Sequence, residues 1–328
     1  MKEQFRWGII GCGRIARSFV RGIEKLPDAQ VVAAASQSLK RAKVFGADCG
    51  VPAVYGDYEE MLTSEKLDAV YIATTHNFHY DNTRLCLQYN RPVLCEKAFT
   101  VNAAQAAELI DLARKKKLFL MEAMWTRFMP CIVRLRGLLQ DGVIGEVTHL
   151  KASFGIHTKK IFPWQRMLSK KLAGGALLDL GIYPVSFARM VFGQPPAEIT
   201  SRAKIGWTGV DETSEYFFNY PNGARAELFS SFRKRVPHDA ILTGTEGAIH
   251  IPDFFHPSRM TIARRGAAPE TLEIPYEPTG YQYEASEVAA CLRDGRTEST
   301  VMPLDETLEI MRTLDTLRAQ WNMKYPGE

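Results

Sequence analysis

A glycine-rich turn near the start of the chain most constrains its fold. The apolar residues 7–10 lead into Gly11-Cys12-Gly13-Arg14-Ile15-Ala16, which predicts a buried strand followed at once by a helix. Gly11 permits a tight turn, the missing side chain at Gly13 lets a pyrophosphate approach the backbone, and Ala16 lets the helix pack closely. The N–H groups and dipole of the helix N-terminus would hold the phosphates. A glycine-rich turn without a ligand has the same pattern, but the position between strand and helix favours dinucleotide binding.

Length and composition indicate a soluble protein of two domains. The 328 residues exceed one typical core, and a hydrophobic fraction of 46% is ordinary for globular proteins. The net charge of +4 is small and the basic residues are scattered, which argues against a nucleic-acid partner. No apolar run of membrane-spanning length and no leader is apparent, so we expect a cytoplasmic protein without a membrane partner. Six cysteines lack C-x-x-C or metal-ligand spacing and are expected to be reduced.

The pattern of strands and helices changes at about residue 122. Predicted helices over 14–25, 39–49, 80–89 and 103–116 alternate with predicted strands over 30–35, 54–55, 68–74, 92–95 and 118–121. This repeat predicts an α/β Rossmann domain, a doubly wound parallel sheet, over residues 1–122. Residues 123–328 show short strands with hairpin-like turns such as Pro221-Asn222-Gly223, and helices at 283–293 and 304–320. They predict an α+β second domain with an antiparallel sheet.

The loop after the second predicted strand bears on the choice of dinucleotide. A carboxylate at this point would bind the ribose hydroxyls of NAD. The chain instead has Ser36-Gln37-Ser38, followed by Lys40 and Arg41. Hydroxyls, an amide and cations suit a 2′-phosphate better, which favours NADP with NAD possible. The two cations could also simply begin an exposed helix.

Polar residues follow the later strands of the first domain as well. The strand over 68–74 leads into Thr75-His76-Asn77-Phe78-His79, where a doubly wound sheet places ligand contacts. The two histidines could instead cap the next helix. The predicted cofactor-binding residues are Gly11, Gly13, Arg14, Ile15, Ser36, Gln37, Ser38, Arg41, Thr74, His76, Asn77, His79, Glu96 and Lys97. No cluster has metal-ligand spacing, so no metal is predicted.

Two further places carry candidate catalytic groups. Lys97 directly follows a buried apolar strand, and Asp179 and Tyr183 lie four residues apart in a glycine-bounded segment, 174–183. On a helix the two would share one face, but Pro184 could make them straddle a helix start. A tyrosine accepts an alcohol proton during hydride transfer if a cation such as Lys97 lowers its pKa. From spacing alone, a core tyrosine and a helix-terminal aspartate are the simpler interpretation.

Several motifs in one order resemble the Gfo/Idh/MocA oxidoreductase family. They are the glycine turn, Glu96-Lys97-Ala98 and the 174–183 segment. Glu122-Ala123-Met124-Trp125-Thr126-Arg127-Phe128 is similar to the branch of dimeric dihydrodiol dehydrogenases and glucose–fructose oxidoreductase, and the likeness continues to Gly280-Tyr281 and residues 298–303. The resemblance therefore covers nearly the whole chain.

The resemblance implies an architecture and an activity. It implies an N-terminal Rossmann domain and a C-terminal domain with a large, mostly antiparallel sheet, one face of which commonly joins subunits into a homodimer or homotetramer. It also implies NAD(P)-dependent oxidation or reduction of a hydroxyl or carbonyl on a sugar, polyol or cyclic trans-diol.

The resemblance also implies roles for single residues. Tyr183 matches the acid/base of the branch, Lys97 matches the family lysine, and Asp179 matches the residue that orients substrate. The residues implied near or behind the substrate pocket are Trp125, Arg127 and Phe154, and Trp164 would add to its aromatic character.

The chain differs from the family pattern at two positions, and one other function remains as an alternative. Ala98 stands where the family motif has proline, and Gln37 stands where relatives often have an arginine that would stack on adenine and bind a 2′-phosphate. The alternative is a non-catalytic NAD(P)-sensing regulator with the same fold. The joint presence of Lys97, Asp179 and Tyr183 favours an enzyme.

Overall fold

The computed structural model describes residues 4–157, 162, 165–277 and 279–328. The strands are β1 (Phe5–Ile10), β2 (Ala29–Ala35), β3 (Ala53–Tyr55), β4 (Ala69–Ile72), β5 (Val93–Glu96), β6 (Leu120–Ala123), β7 (Val147–Gly155), β8 (Glu198–Ile205), β9 (Asp211–Asn219), β10 (Arg225–Ser231), β11 (Ala240–Gly244), β12 (Gly247–Ile251), β13 (Arg259–Arg264) and β14 (Glu270–Glu273). The helices are α1 (Arg14–Ile23), α2 (Leu39–Cys49), α3 (Tyr58–Ser64), α4 (His79–Gln88), α5 (Ala103–Lys116), α6 (Pro130–Gln140), α7 (Ile182–Phe192), α8 (Tyr281–Arg293) and α9 (Leu304–Gln320).

The first compact unit is built on a parallel sheet. Its six strands lie in the order β3-β2-β1-β4-β5-β6, and every neighbouring pair is parallel. Most residues of β1, β4 and β5 are buried, as expected for strands covered by helices on both faces. Successive connections leave β1 in opposite directions, so the switch point lies between β1 and β4. The predicted doubly wound Rossmann fold is confirmed.

The first unit is not continuous in sequence. It contains Met1–Trp125 and Glu277–Leu308, whereas the second contains Thr126–Tyr276 and Glu309–Glu328. The sequence division after residue 122 did not include this returning segment. Helix α8 packs on α1, and Gly22 allows the approach, since a Cβ there would lie 3.0 Å from the Gln282 nitrogen. The packing of α8 on α1 therefore explains why residues 277–308 belong to the first unit.

The second compact unit contains a larger sheet of eight strands in the order β14-β13-β12-β11-β7-β10-β9-β8. Only β7 and β10 pair in parallel among the strands described, and every other neighbouring pair is antiparallel. Helix α7 lies on β7 and β10, which places its first turn over the middle of the sheet. The predicted α+β domain with a mostly antiparallel sheet is confirmed.

One expectation about the sequence is corrected. Among the described residues, the segment Lys170–Phe192 is long and apolar enough by length and composition to cross a membrane, although we expected no run approaching that length. However, 78% of its apolar window is buried inside the protein. Burial on the large sheet explains its hydropathy, as for the core helix of a soluble protein.

Candidate active site

The glycine turn lies at the centre of the parallel sheet. Gly11 has φ +102°, and a Cβ there would lie 2.7 Å from the backbone of Ala73, so the turn packs tightly against the end of β4. Gly13 is exposed and precedes α1, whose first turn has no side-chain cap. A Cβ on Gly13 would contact only the Ala73 oxygen, at 3.9 Å. This open, uncapped helix start fits a dinucleotide pyrophosphate, with Arg14 exposed and Ile15 half-buried beside it.

Of the four predicted cofactor residues at the end of β2, two are exposed and two are not. Gln37 and Arg41 are exposed, whereas Ser36 is buried. The Ser38 hydroxyl accepts a hydrogen bond from the Arg41 backbone at 3.4 Å and so caps α2. An exposed guanidinium and amide with no carboxylate at this tip suit a phosphate group.

The loop after β4 is held by its own polar residues. The His79 ring is fully buried, with Nδ1 2.8 Å from the Ala98 carbonyl and Nε2 3.2 Å from the Thr74 carbonyl. The Thr74 hydroxyl accepts a hydrogen bond from Asn82, and the Thr75 hydroxyl donates to Asn77. His79 therefore joins the loop after β4 to the loop after β5.

His76 and Asn77 complete that loop. The buried His76 ring lies edge-on to His79, with 5.6 Å between centroids, and Asn77 is half-buried in the short turn His76–Phe78. Because parallel strands end at one edge of the sheet, this loop, the glycine turn and the end of β2 lie along a common edge.

Lys97 follows β5 at the same edge and is half-buried. Glu96, the last residue of β5, is buried; its carboxylate accepts hydrogen bonds from the Tyr71 hydroxyl and, at 3.2 Å, from the Lys97 backbone N–H. Burial first, and then the Glu96 charge, raises the pKa of Tyr71 well above its ordinary value. Glu96 thus supports the backbone that carries Lys97.

Helix α8 adds a second carboxyl group that the sequence did not single out. Glu284 is fully buried, and neither of its oxygens has a hydrogen-bond partner among the described residues. Burial, followed by the nearby Glu96, raises its pKa well above the ordinary value. About one helical turn before Glu284, Tyr281 stacks on Trp125 with 5.0 Å between ring centroids. The only sequence signal for Glu284 is its place on the buried stripe of an amphipathic helix.

In the second unit, Asp179 and Tyr183 lie on either side of a change from π-helix to α-helix, whereas the position of Pro184 had suggested that they straddle a helix start. Asp179 lies in the π-helical turn Leu177–Gly181, and Tyr183 lies in the first turn of α7. Pro184 is also in that first turn, where proline is tolerated. Both candidate side chains are buried.

Arg166 binds the Asp179 carboxylate. Its Nη2 nitrogen lies 2.9 Å from each of the two carboxylate oxygens. A Cβ on Gly174 would lie 2.4 Å from the Arg166 carbonyl oxygen, so the glycine lets the two backbone segments meet. Arg166 follows no motif and lies 13 residues before Asp179, so sequence reasoning missed it.

Asp211, the first residue of β9, anchors the π-helical turn. Its Oδ2 accepts hydrogen bonds from the Leu177 N–H at 2.8 Å and the Ser214 hydroxyl at 2.7 Å. Its Oδ1 has no partner among the described residues. Burial raises the pKa of Asp211 to about 6, although these donors oppose the shift. Gly175 has φ +122°, and a Cβ there would lie 2.4 Å from Oδ1, so only glycine fits beside this carboxyl group.

Aromatic rings line one side of Tyr183. Phe154 on β7 lies 5.3 Å from Tyr183 between ring centroids and stacks on Phe255 at 4.4 Å. The buried Arg127 donates to the carbonyl of Ser186 at 2.8 Å and to its hydroxyl, which ties the turn Trp125–Phe128 to α7. Trp164 lies outside the described residues.

The described part of the chain contains no group of three or more His, Cys, Asp or Glu side chains arranged to hold a metal ion. In that part all six cysteines are free, and five of them are buried. The arrangement therefore offers a dinucleotide cradle in one unit and, in the other, a phenol beside an ion-paired carboxylate.

Known proteins resemble this chain over nearly its whole length. The model of an oxidoreductase family with an NAD-binding Rossmann fold, Gfo/Idh/MocA, matches residues 5–124, and the model of the Gfo/Idh/MocA C-terminal domain matches residues 132–250. Trans-1,2-dihydrobenzene-1,2-diol dehydrogenase from Xenopus laevis is 39% identical over 98% of this chain and 99% of that protein. The enzyme of that name from Homo sapiens is 36% identical over 98% of both chains. A 3-ketoreductase from Actinomadura kijaniata, crystallised with NADP and TDP-benzene, has a TM-score of 0.85 and 26% identity, covering 97% of this chain and 98% of that one.

Proposed function

The chain belongs to the Gfo/Idh/MocA oxidoreductase family, and from that membership we propose that it is an NADP-preferring dehydrogenase or reductase of CH–OH groups. The proposed substrate is a sugar, a polyol or a cyclic trans-diol. The near full-length similarity to trans-1,2-dihydrobenzene-1,2-diol dehydrogenases supports this class. We further propose that the protein is cytoplasmic and forms a homodimer or homotetramer through its large sheet.

The observation that carries the proposal is the Tyr183 phenol in the first turn of α7, with Asp179 one turn earlier and Phe154 beside its ring. NADP held at the glycine turn would supply the acceptor for the hydride that leaves the carbinol carbon during oxidation. The hydroxyl proton of the same carbon passes to the Tyr183 oxygen, so the C–H and O–H bonds break as the carbonyl forms. Asp179 orients a neighbouring hydroxyl of the substrate.

Lys97 has an electrostatic role in this proposal. An ammonium group stabilises a nearby phenolate and so lowers the pKa of the tyrosine hydroxyl. Glu96 supports this role because it binds the backbone N–H of Lys97 and so fixes where the lysine leaves β5. The Trp125 and Phe154 rings are proposed to contact the substrate, whereas Arg127 acts by holding α7.

Two observations support NADP. Arg41 and Gln37 are exposed at the tip of β2, where an acidic residue would favour NAD. The 3-ketoreductase of similar fold binds NADP. The remaining cofactor residues proposed, from Gly11 to Thr74 and the following loop, lie along the carboxyl edge of the same sheet.

A coupled screen tests the function. Polyols, aldoses and cyclic diols are offered with NADP and with NAD, and formation of reduced nicotinamide is followed by absorbance. We expect turnover of at least one vicinal diol or sugar, with a higher kcat/KM for NADP. Binding of NADPH without turnover of any compound would instead indicate the regulatory alternative.

A further inference from the structure

The ion pair at the start of α7 bears on which substrates the proposed site accepts. Arg166 binds both oxygens of Asp179 through one nitrogen, at 2.9 Å each. The Asp179 side chain keeps 10% of its surface exposed, and the Arg166 side chain keeps 37%. The carboxylate is therefore enclosed, and the guanidinium is its accessible partner.

The backbone around the pair is built to keep it in place. The Gly175 N–H donates to the Met167 carbonyl at 2.9 Å, so the turn after Arg166 is fastened to the segment that precedes Asp179. Side chains larger than hydrogen at Gly174 and Gly175 would collide with Arg166 and Asp211. The glycine pair thus lets an arginine distant in sequence lie against the aspartate.

The guanidinium retains hydrogen-bonding capacity beyond the pair. A guanidinium has five N–H donors, and the contact with Asp179 uses only the two on Nη2. The Nε and Nη1 groups have no partner among the described residues. Together the two side chains offer an oxygen acceptor and several N–H donors with a net charge of zero.

We propose that Arg166 and Asp179 jointly select substrates with a neutral hydroxyl next to the reacting carbon. This inference rests on the proposed function, which places Asp179 beside the substrate. The carboxylate accepts the O–H hydrogen of that neighbouring hydroxyl, and the guanidinium donates to its oxygen. Arg166 is thus a specificity-determining residue.

The charge balance of the pair also excludes acids. A substrate carboxylate in the same position would face Asp179 while the only nearby positive charge of the pair is already neutralised. Like charges at short range are unfavourable, and a buried charge needs a partner. The site is therefore specific for vicinal diols and neutral sugars over hydroxy acids and sugar acids.

Binding to the NADPH complex tests this selectivity without chemistry, because an alcohol cannot reduce NADPH. Calorimetric titration compares trans-cyclohexane-1,2-diol with cyclohexanol, and the methyl glycoside of D-glucose with that of D-glucuronate. The two glycosides have no free aldehyde that NADPH could reduce, and they are called glucose and glucuronate below. We expect the diol and glucose to bind about 10- to 100-fold more tightly than their partners, as hydrogen bonds to charged groups imply.

Three variants separate the two side chains. Arg166→Gln should lower the diol preference about tenfold, and Arg166→Lys should lower it while retaining the rejection of glucuronate. Asp179→Asn leaves Arg166 unpaired and should shift the glucose-to-glucuronate ratio at least tenfold toward glucuronate. Lys171→Gln, which removes a charge from an exposed neighbour, is the control and should change neither ratio.

Thermal unfolding of every variant shows that it is folded. The proposal is overturned if folded Asp179→Asn rejects glucuronate as the wild type does, if Arg166→Gln keeps the diol preference, or if the wild type binds none of the four compounds. Turnover by Tyr183→Phe is measured separately. If that variant stays active, the proposed acid/base function fails while the binding ratios still judge the ion pair.

Discussion

Two buried carboxyl groups show how partners change the effect of burial on a single residue. Asp211 receives two hydrogen bonds on one oxygen, and its pKa rises to about 6. Glu284 has no partner for either oxygen among the described residues, and its pKa rises well above the ordinary range. Glu96 nearby accepts hydrogen bonds on both oxygens. We therefore expect Glu284 to hold a proton at neutral pH.

Replacing Glu284 by glutamine should stabilise the protein increasingly as pH rises. The folded pKa of Glu284 lies above the unfolded value, so the folded state is favoured below the unfolded pKa, and this contribution is lost as pH rises toward the folded pKa. Urea unfolding from about pH 5 to about pH 8 should show Glu284→Gln gaining on wild type, by on the order of 1–3 kcal/mol at neutral pH. The same exchange at the exposed Glu246 is the control. A difference that does not change with pH would contradict the assignment.

The Tyr183→Phe variant should lose turnover and keep its cofactor. Removing the phenol oxygen deletes the proposed proton acceptor, which lowers kcat/KM about 100- to 10,000-fold. The dissociation constant of NADPH, measured by fluorescence titration, should not change. Tyr220→Phe is a matched control, because the buried Tyr220 hydroxyl has no hydrogen-bond partner among the described residues. Full activity of Tyr183→Phe would remove Tyr183 from the mechanism.

Lys97→Met tests the electrostatic role of the ammonium group. The substitution keeps a long side chain but removes the charge that favours a phenolate. We expect kcat to fall at least tenfold near neutral pH, with part of the activity recovered at higher pH, where hydroxide assists deprotonation. Stopped-flow measurement of hydride transfer would show whether the chemical step is the one affected.

At the scale of an element, the π-helical turn and the start of α7 act as one unit. Asp211 binds the Leu177 N–H at the beginning of the turn, and Arg166 binds Asp179 within it. Arg127 then binds Ser186 one turn further along α7. Three contacts from separate parts of the fold thus fix a short segment that carries both proposed functional side chains.

Gly175→Ala should disrupt this segment more than an ordinary glycine replacement. Gly175 and Gly193 both have positive φ, but only at Gly175 does a Cβ meet a buried atom, the Asp211 Oδ1 at 2.4 Å. Gly193→Ala should cost about 1 kcal/mol, from the left-handed backbone alone. Gly175→Ala should cost about 3 kcal/mol or more. Urea unfolding measures both, and equal losses would show that the contact with Asp211 does not matter.

Local chemistry explains which elements were predictable. Helices 103–116 and 304–320 have the bounds predicted, because apolar periodicity and polar flanks mark them. The glycine turn was predictable because backbone freedom is needed at fixed spacing. Arg166 and Asp211 were not, since their partners lie 13 and 34 residues away and no local pattern records such pairs. Glu284 lies on the buried stripe of α8 among apolar residues. The sequence did not indicate this position, because a charged residue is normally expected to be exposed.

At the scale of the whole chain, the dinucleotide-binding unit is assembled from two distant segments. Helix α8 covers α1, and the Leu120 N–H donates to the Thr297 carbonyl at 3.2 Å. Arg114 forms an ion pair with Asp305 at 2.9 Å. The edge strand β6 and helices α1 and α5 thus depend on residues that follow the second unit in sequence.

A fragment of residues 1–125 should therefore be less stable than the same fragment joined by a flexible linker to residues 277–308. Without α8, the face of α1 around Gly22 is uncovered, and the apolar burial that Ala285, Val288 and Ala289 contribute is lost. We expect the joined fragment to unfold at a higher urea concentration, with a free energy of unfolding larger by several kcal/mol. It should also bind NADPH more tightly. Equal stability would mean that the returning segment is dispensable.

The discontinuity has a consequence during synthesis. A ribosome releases β1 to β6 long before α8 leaves its exit tunnel, so the nascent N-terminal half waits with its α1 surface uncovered while some 150 residues of the second unit are translated. Co-translational folding of this half cannot be finished domain by domain. Helix α8 is synthesised only after residues 126–276, so we expect chaperones that shield apolar surface to protect α1 during that interval.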